Sequence, residues 1–370
     1  MGWIQLARII VIGAGIVGLS TARAAARRGH AVTLIERGPI PNPFQASWDS
    51  HRMIRYHYGA AAGYTRMVSD AFAAWEALWP EIGERHFVDT GAIAIAETDG
   101  DYAHRTLACF RATGVQHRVL NRAETEALCP QYKLAAESFG VLAGPGGPLF
   151  ADRIVRDLAG LVAALGVTMM PHASVIAIDP RAATATLADG QVISGDAMVV
   201  AAGAWCGALW SSFAGLPVMR QALCYVEPPE AYADAWRGPA LVAFGDNGGY
   251  TLPGVAGTQL KFGYGAHRRP GIPDEEGWQS PPGEDRQILA GFGRFVHHID
   301  GYTPLRVQVG YYTMDATREF RVETEGRTIA IGNCDGQMFK FGPLMGERVV
   351  ASIEGEIGAD DLKRWAAGRA

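Results

Sequence analysis

Basic residues are not in excess in this chain, cysteine is scarce, and apolar runs of membrane length are almost absent. The 370 residues carry 33 Lys and Arg against 38 Asp and Glu, a formal net charge of −5. That balance offers no basic surface for nucleic acid, and no nucleic-acid partner is expected. The five cysteines, at 109, 129, 206, 224 and 334, are odd in number and scattered, with no CxxC and no zinc spacing. A reducing, cytoplasmic setting and no metal follow as expectations. The apolar run of residues 3–19 is the one stretch open to confusion with a leader, and its glycine pattern explains it as strand and turn. No other run approaches membrane length, so neither a membrane partner nor a span is expected. Repeats and low-complexity tracts are missing too. What remains is ordinary globular composition, 48% hydrophobic and 19% charged, with room for two modest domains.

The most informative stretch is IIVIGAGIVGLSTARAAARRGHAVTLIER, Ile9 to Arg37. Gly13, Gly15 and Gly18 follow an apolar strand, Arg8 to Ile12, and open a helix, the order that a βαβ dinucleotide site requires. Gly13 permits the tight exit from the strand, Gly15 lets backbone approach a pyrophosphate, and Gly18 lets the helix pack closely on the sheet. The helix N-terminus, with Ile16 and Val17, offers free N–H groups to the anion. Gly29 ends the helix, and AVTLIE reads as a second buried strand closing on Glu36. A carboxylate there accepts from a ribose 2′-OH and repels a 2′-phosphate, which argues against NADP and leaves FAD or NAD.

Further along, the apolar spacing of Tyr64 to Leu78 predicts an amphipathic helix, and so does that of Asp152 to Leu165. FVDTGAIAIAE reads as a strand pair, and TATLADGQVIS as a hairpin turning at Asp189-Gly190. DAMVVAAGAW, 196–205, is a buried-type strand running into glycine. The segment RTIAIGNCDGQMFKFGPLMGE repeats strand, glycine turn and helix, with Pro343 in the first helical turn. The fold class expected is α/β (α+β). A Rossmann-like domain of residues 1–85, 150–220 and 320–370 is interrupted by a second domain, 86–149 and 221–319, built on a mixed, mostly antiparallel sheet.

Four stretches in this order, VIGAGIVGLSTA…VTLIER, SHRMIRYHYG, LKFGYG and VGYYTMDATREF…GNCDGQMFKFGPLMGE, carry a family likeness over nearly the whole chain. The sequence resembles the FAD-dependent D-amino-acid-oxidase-like superfamily, and more closely its monomeric sarcosine oxidase and N-methyltryptophan oxidase branch. The resemblance implies FAD rather than NAD. It also implies oxidation of a C–N bond in an amine or amino acid carrying a carboxylate, with O2 returning the cofactor to its oxidised state and H2O2 released.

The resemblance assigns residues one at a time. Arg52 is placed at the flavin face and Arg55 on the substrate carboxylate, joined there by Lys340. From strand alternation alone Lys261 reads as solvent-facing, whereas the matching family lysine lies over the flavin and speeds reaction with oxygen, favouring an oxidase over a dehydrogenase. Tyr312 is the candidate aromatic of the substrate side, with a part in catalysis as well as binding. Cofactor contacts are expected from the first turn, from Glu36 and Arg37, and from Ser47, Ser50, His51 and Arg52. Val175 offers backbone to adenine, and Ala202, Gly203, Trp205, Gly336, Met338, Phe339 and Lys340 complete the set. Gly310 stands where the family has its flavin-linking cysteine, so FAD is expected without a covalent bond. Trp48 replaces a family histidine, and His267 lies two residues past the position of another, at Gly265. Both are expected in the substrate pocket, which points to a substrate larger than sarcosine. Other readings keep the same fold: a dehydrogenase passing electrons to a carrier, or a flavin-binding component without turnover. A monomer or small homo-oligomer is expected.

Overall fold

The computed structural model describes residues 6–246 and 249–369; the start of the apolar run 3–19 and the N-terminus of the first expected domain lie outside them. One six-stranded sheet organises the nucleotide side. Its strand order is Arg321–Glu325, Thr328–Gly332, Ala197–Val200, Arg8–Ile12, Ala31–Ile35 and Thr168–Met170. All pairings are parallel except that of the edge strand Arg321–Glu325. The strands Arg8–Ile12 and Ala197–Val200 are almost wholly buried, as strands covered on both faces must be.

The glycine turn is sterically obligatory. Gly13 has φ +100°, and a Cβ on it would lie 2.5 Å from the Ala201 carbonyl oxygen. A Cβ on Gly18 would fall 1.7 Å from the Gly13 oxygen, so the helix Ile16–Arg27 packs on the turn only without one. The same helix meets the late helix Gly342–Ile353 closely, where a Cβ on Gly346 would lie 2.5 Å from Ser20 backbone.

The second sheet has nine strands and is antiparallel except where Ala240–Phe244 runs parallel to Ala92–Ile95. Its longest ladder pairs Val218–Glu227 with Thr303–Thr313, and Leu260–Tyr264 lies on the other side of Val218–Glu227. A short ribbon of Arg52–Ile54 with Gly147–Leu149 stands between the two sheets in sequence. The expected hairpin is present, Thr184–Leu187 against Val192–Ser194. The expected helices run Ala62–Ile82 and Ala151–Ala164. FVDTGAIAIAE differs: it holds one strand, Ala92–Ile95, because Phe87 makes only an isolated bridge to Leu149 and Ala92–Ile95 pairs instead with Gly140–Ala143 and Ala240–Phe244. Among the described residues no helix is long and apolar enough to cross a membrane.

Candidate active site

A cavity of about 1080 Å³ runs from the glycine turn to the nine-stranded sheet. At the nucleotide end its wall includes Gly13, Gly15, Ile16, Val17, Glu36, Arg37, Ser47, Val175, Ala202, Gly203 and Trp205. Gly18 lies beneath the turn rather than in the wall, in keeping with its packing role. The Glu36 carboxylate accepts from Ala14 N at 2.8 Å, Gly38 N at 3.1 Å and Asn42 Nδ2 at 3.0 Å, which fixes it at the strand end. Ser47 Oγ accepts from Ile16 N at 2.9 Å. Arg37 lies 4.6 Å over the Trp205 ring, and both donate to Asp274, a residue of the long excursion into the second sheet. The Gln45 amide is buried in this wall with neither its oxygen nor its nitrogen hydrogen-bonded, a polar group that calls for a ligand.

Midway, Lys261 is 1% exposed and lines the cavity, so strand alternation misplaces it. Its Nζ donates to Asp49 Oδ2 at 2.8 Å and to the His51 carbonyl at 2.5 Å. Asp49, 2% exposed, also accepts from Arg52 and from the Tyr225 hydroxyl. Burial works to raise the Asp49 carboxyl, but Arg52, Lys261 and Tyr225 outweigh it and hold it well below the usual carboxylate range. Burial draws Lys261 down to about 7; Asp49 opposes that fall and Arg52 adds to it. His51 is held neutral mainly by burial, at about 3, and its ring Nε2 lies 3.1 Å from the Gln259 carbonyl.

Elsewhere in the wall Arg55 donates to the His57 carbonyl and to Gln337 Oε1 at 2.9 Å, with its guanidinium 4.4 Å over Tyr58. Lys340 Nζ reaches the Gln337 carbonyl at 3.0 Å, and burial, then Arg55, lowers its pKa well below the ordinary lysine value. Among the described residues neither cation has a carboxylate in ion-pair range. Gly336, Met338, Phe339 and Cys334 complete this wall, and Tyr312 faces it, its ring 3.0 Å from where a Cβ on Gly336 would sit. A Cβ on Gly310 would meet nothing within 4 Å, so the wall is open there.

Four expected residues lie elsewhere. Trp48 turns out of the cavity, where Arg156 lies 5.7 Å over its ring. His267 turns to Glu284 at 3.1 Å, because the chain winds through a single 3₁₀ turn, Gly265–His267, and brings Arg268 into the wall in its place. Ser50 accepts from Arg306 at 2.7 Å behind the wall, and His51 contributes its carbonyl to Lys261 rather than its ring to the cavity. The residues missed from sequence are Gln45, Asp49, Arg268 and Gln337. For Asp49 the signal was its place three residues before Arg52; the polar loop residues around Gln45 carry none.

A family model described as DAO, FAD dependent oxidoreductase, matches residues 8–352, and the chain belongs to that family. It is an FAD-dependent oxidoreductase. The chain is 25% identical over 357 residues to the peroxisomal sarcosine oxidase of Homo sapiens, covering 91% of this chain and 90% of that one. Its fold is similar to that of L-proline dehydrogenase from P. horikoshii, with a TM-score of 0.82 at 17% identity over 99% of this chain and 97% of the other. NikD, an amino acid oxidase essential for nikkomycin biosynthesis, gives 0.80 at 20% identity, with 98% of each chain covered. The cavity fits the cofactor of this family: the Gly15 backbone and the helix start suit a pyrophosphate, Glu36 suits a ribose, and Gln45 supplies unspent donors and acceptors.

Proposed function

We propose that the protein oxidises the C–N bond of an amino acid, or of an N-alkyl or cyclic secondary amine, that carries a carboxylate. The observation that carries this reading is the pair Arg55 and Lys340, two cations in the cavity wall that have no carboxylate in ion-pair range among the described residues. FAD, when bound, would supply the two-electron acceptor for oxidation at the carbon beside the nitrogen. Arg55 and Lys340 hold the substrate carboxylate from two sides, which fixes the orientation of that carbon. Tyr312 and Met338 close the space beside it and limit water. Arg52 and Lys261 place positive charge at the middle of the cavity, and a charged Lys261 Nζ stabilises the anion that forms when O2 takes an electron. Gly310 offers no atom for a covalent link, so FAD is held noncovalently. The likeness to an oxidase over nine-tenths of both chains supports an imine and H2O2 as products.

A dehydrogenase passing electrons to another acceptor is the second reading, and one contact favours it: the Asp49 carboxylate neutralises part of the Lys261 charge. The test is the visible spectrum of the purified protein without oxygen, before and after secondary and primary amino acids are added. Bleaching of the flavin band by one of them is expected, and rapid recovery on admitting air marks an oxidase. A bleached band that persists in air marks a dehydrogenase, and a flavin that none of them bleaches overturns the substrate class.

A further inference from the structure

We infer that the substrate carries a second anionic group and that Arg268 binds it. This rests on the reading of Arg55 and Lys340 as the site of the first. Arginines in a cavity wall are normally neutralised, because an unpaired charge drawn out of water costs several kcal/mol. Arg37, Arg52, Arg105 and Arg318 obey this rule, each meeting an aspartate of this chain. Arg268 does not. It lines the cavity half-buried, and the one hydrogen bond of its side chain among the described residues is a long one, Nη1 to the Tyr312 hydroxyl at 3.5 Å.

Its place relative to the first site is set by one ring. Tyr312 lies against Gly336 at one side, next to the Gln337 that binds both Arg55 and Lys340, and meets Arg268 at its hydroxyl. The Tyr312 atoms nearest Gly336 are Cζ and the two Cε, so Arg268 and the loop that carries Gln337 meet the same, hydroxyl end of one ring, a placement that suits an amino acid whose side chain ends in an oxyanion. The planar guanidinium presents a fork that suits carboxylate and phosphate-type groups alike. His267 beside it is committed to Glu284, and among the described residues no carboxylate lies in ion-pair range of Arg268.

The experiment is titration calorimetry of the FAD-loaded protein with three inert probes: butyrate, glutarate and 3-phosphonopropionate. At least one of the two dianions should bind about ten-fold or more tighter than butyrate, as one additional charge-assisted contact provides; the tighter of the two identifies the second group as carboxylate or phosphonate in type. Arg268→Gln should bind all three within about two-fold of one another, and Arg268→Lys should recover part of the difference. FAD content at the wild-type level confirms that the variants are folded. Equal affinities in the wild type, no binding by any probe, or a dianion advantage that survives Arg268→Gln overturns the inference. N-methylglutamate and N-methylglutamine separate it from the broader reading. If the dianion advantage depends on Arg268 but neither compound bleaches the flavin, the second anion site stands and C–N oxidation falls. If they bleach it and no dianion advantage exists, the second site alone falls.

Discussion

Two groups of cations share one cavity wall and are balanced in different ways. Around Asp49, an arginine, a lysine and a tyrosine converge on a single buried carboxylate, so the chain supplies its own counter-charge. Around Gln337, Arg55 and Lys340 donate only to neutral oxygens among the described residues, and Asp335 acts on Lys340 through its field without an ion-pair contact. On the function proposed above, the first group serves the protein's stability and the second its binding, although both contain an arginine and a lysine at similar depth. Depth alone does not separate a structural ion from a functional one; the identity of the counter-ion does.

Removing the internal counter-ion should have the largest effect. Asp49→Ala leaves Lys261 and Arg52 with carbonyl acceptors but without their carboxylate and is expected to cost about 3–5 kcal/mol of folding stability, read from denaturant unfolding; a loss below 1 kcal/mol would break the distinction. Lys340→Met should do the opposite to the free protein, leaving its melting temperature unchanged or higher, because it deletes a buried charge with no carboxylate partner. The same variant should weaken carboxylate binding by about ten- to a hundred-fold, the worth of a hydrogen bond to a charged group. Titration sharpens the contrast further. With Lys261 held at about 7 against an ordinary value of 10.5, the unfolded chain binds a proton that the folded chain has released between those two values. This group's contribution to stability therefore rises with pH across that window and is lost as pH falls towards 7. Oxygen reactivity of the reduced protein should run the other way, declining as pH rises through about 7, and Asp49→Asn should move that decline to lower pH. Cys334→Ala, in the same wall but in neither group, should change stability by no more than about 0.5 kcal/mol.

Much of the nucleotide end is legible in the sequence because its logic is local. Gly13, Gly15, Gly18 and Glu36 belong to one strand-turn-helix-strand unit, and contacts within it, such as Gly18 on the Gly13 oxygen and Glu36 on Ala14 N, already constrain them, with Ala201 against Gly13 as a long-range addition. The hairpin at Asp189-Gly190 is legible for the same reason. The other end depends on contacts across the chain. Lys261 reads as exposed because alternation assumes one wet face, whereas the strand Leu260–Tyr264 is buried at its first four positions and receives Asp49 from 212 residues away. Trp48 and His267 fail for a subtler reason. Correspondence with a related pattern carries over a position along the chain but not the direction of a side chain, and the turn at Gly265–His267 exchanges His267 for its neighbour Arg268. Gln45 is invisible in advance because a buried unpaired amide is a property of its surroundings.

The order of strands in the six-stranded sheet bears on how the protein is made. Arg8–Ile12 is flanked by Ala31–Ile35 and Ala197–Val200, and the parallel partner of the latter is Thr328–Gly332. A nascent chain can shape the glycine turn once its first βαβ unit has emerged, but Met338, Phe339 and Lys340 close the same cavity from the last tenth of the sequence. Because domains form as units during synthesis at about 5–20 residues per second, this cavity is completed only after Lys340 has been made. A ligand that needs both walls is therefore held only once segments more than 300 residues apart have met.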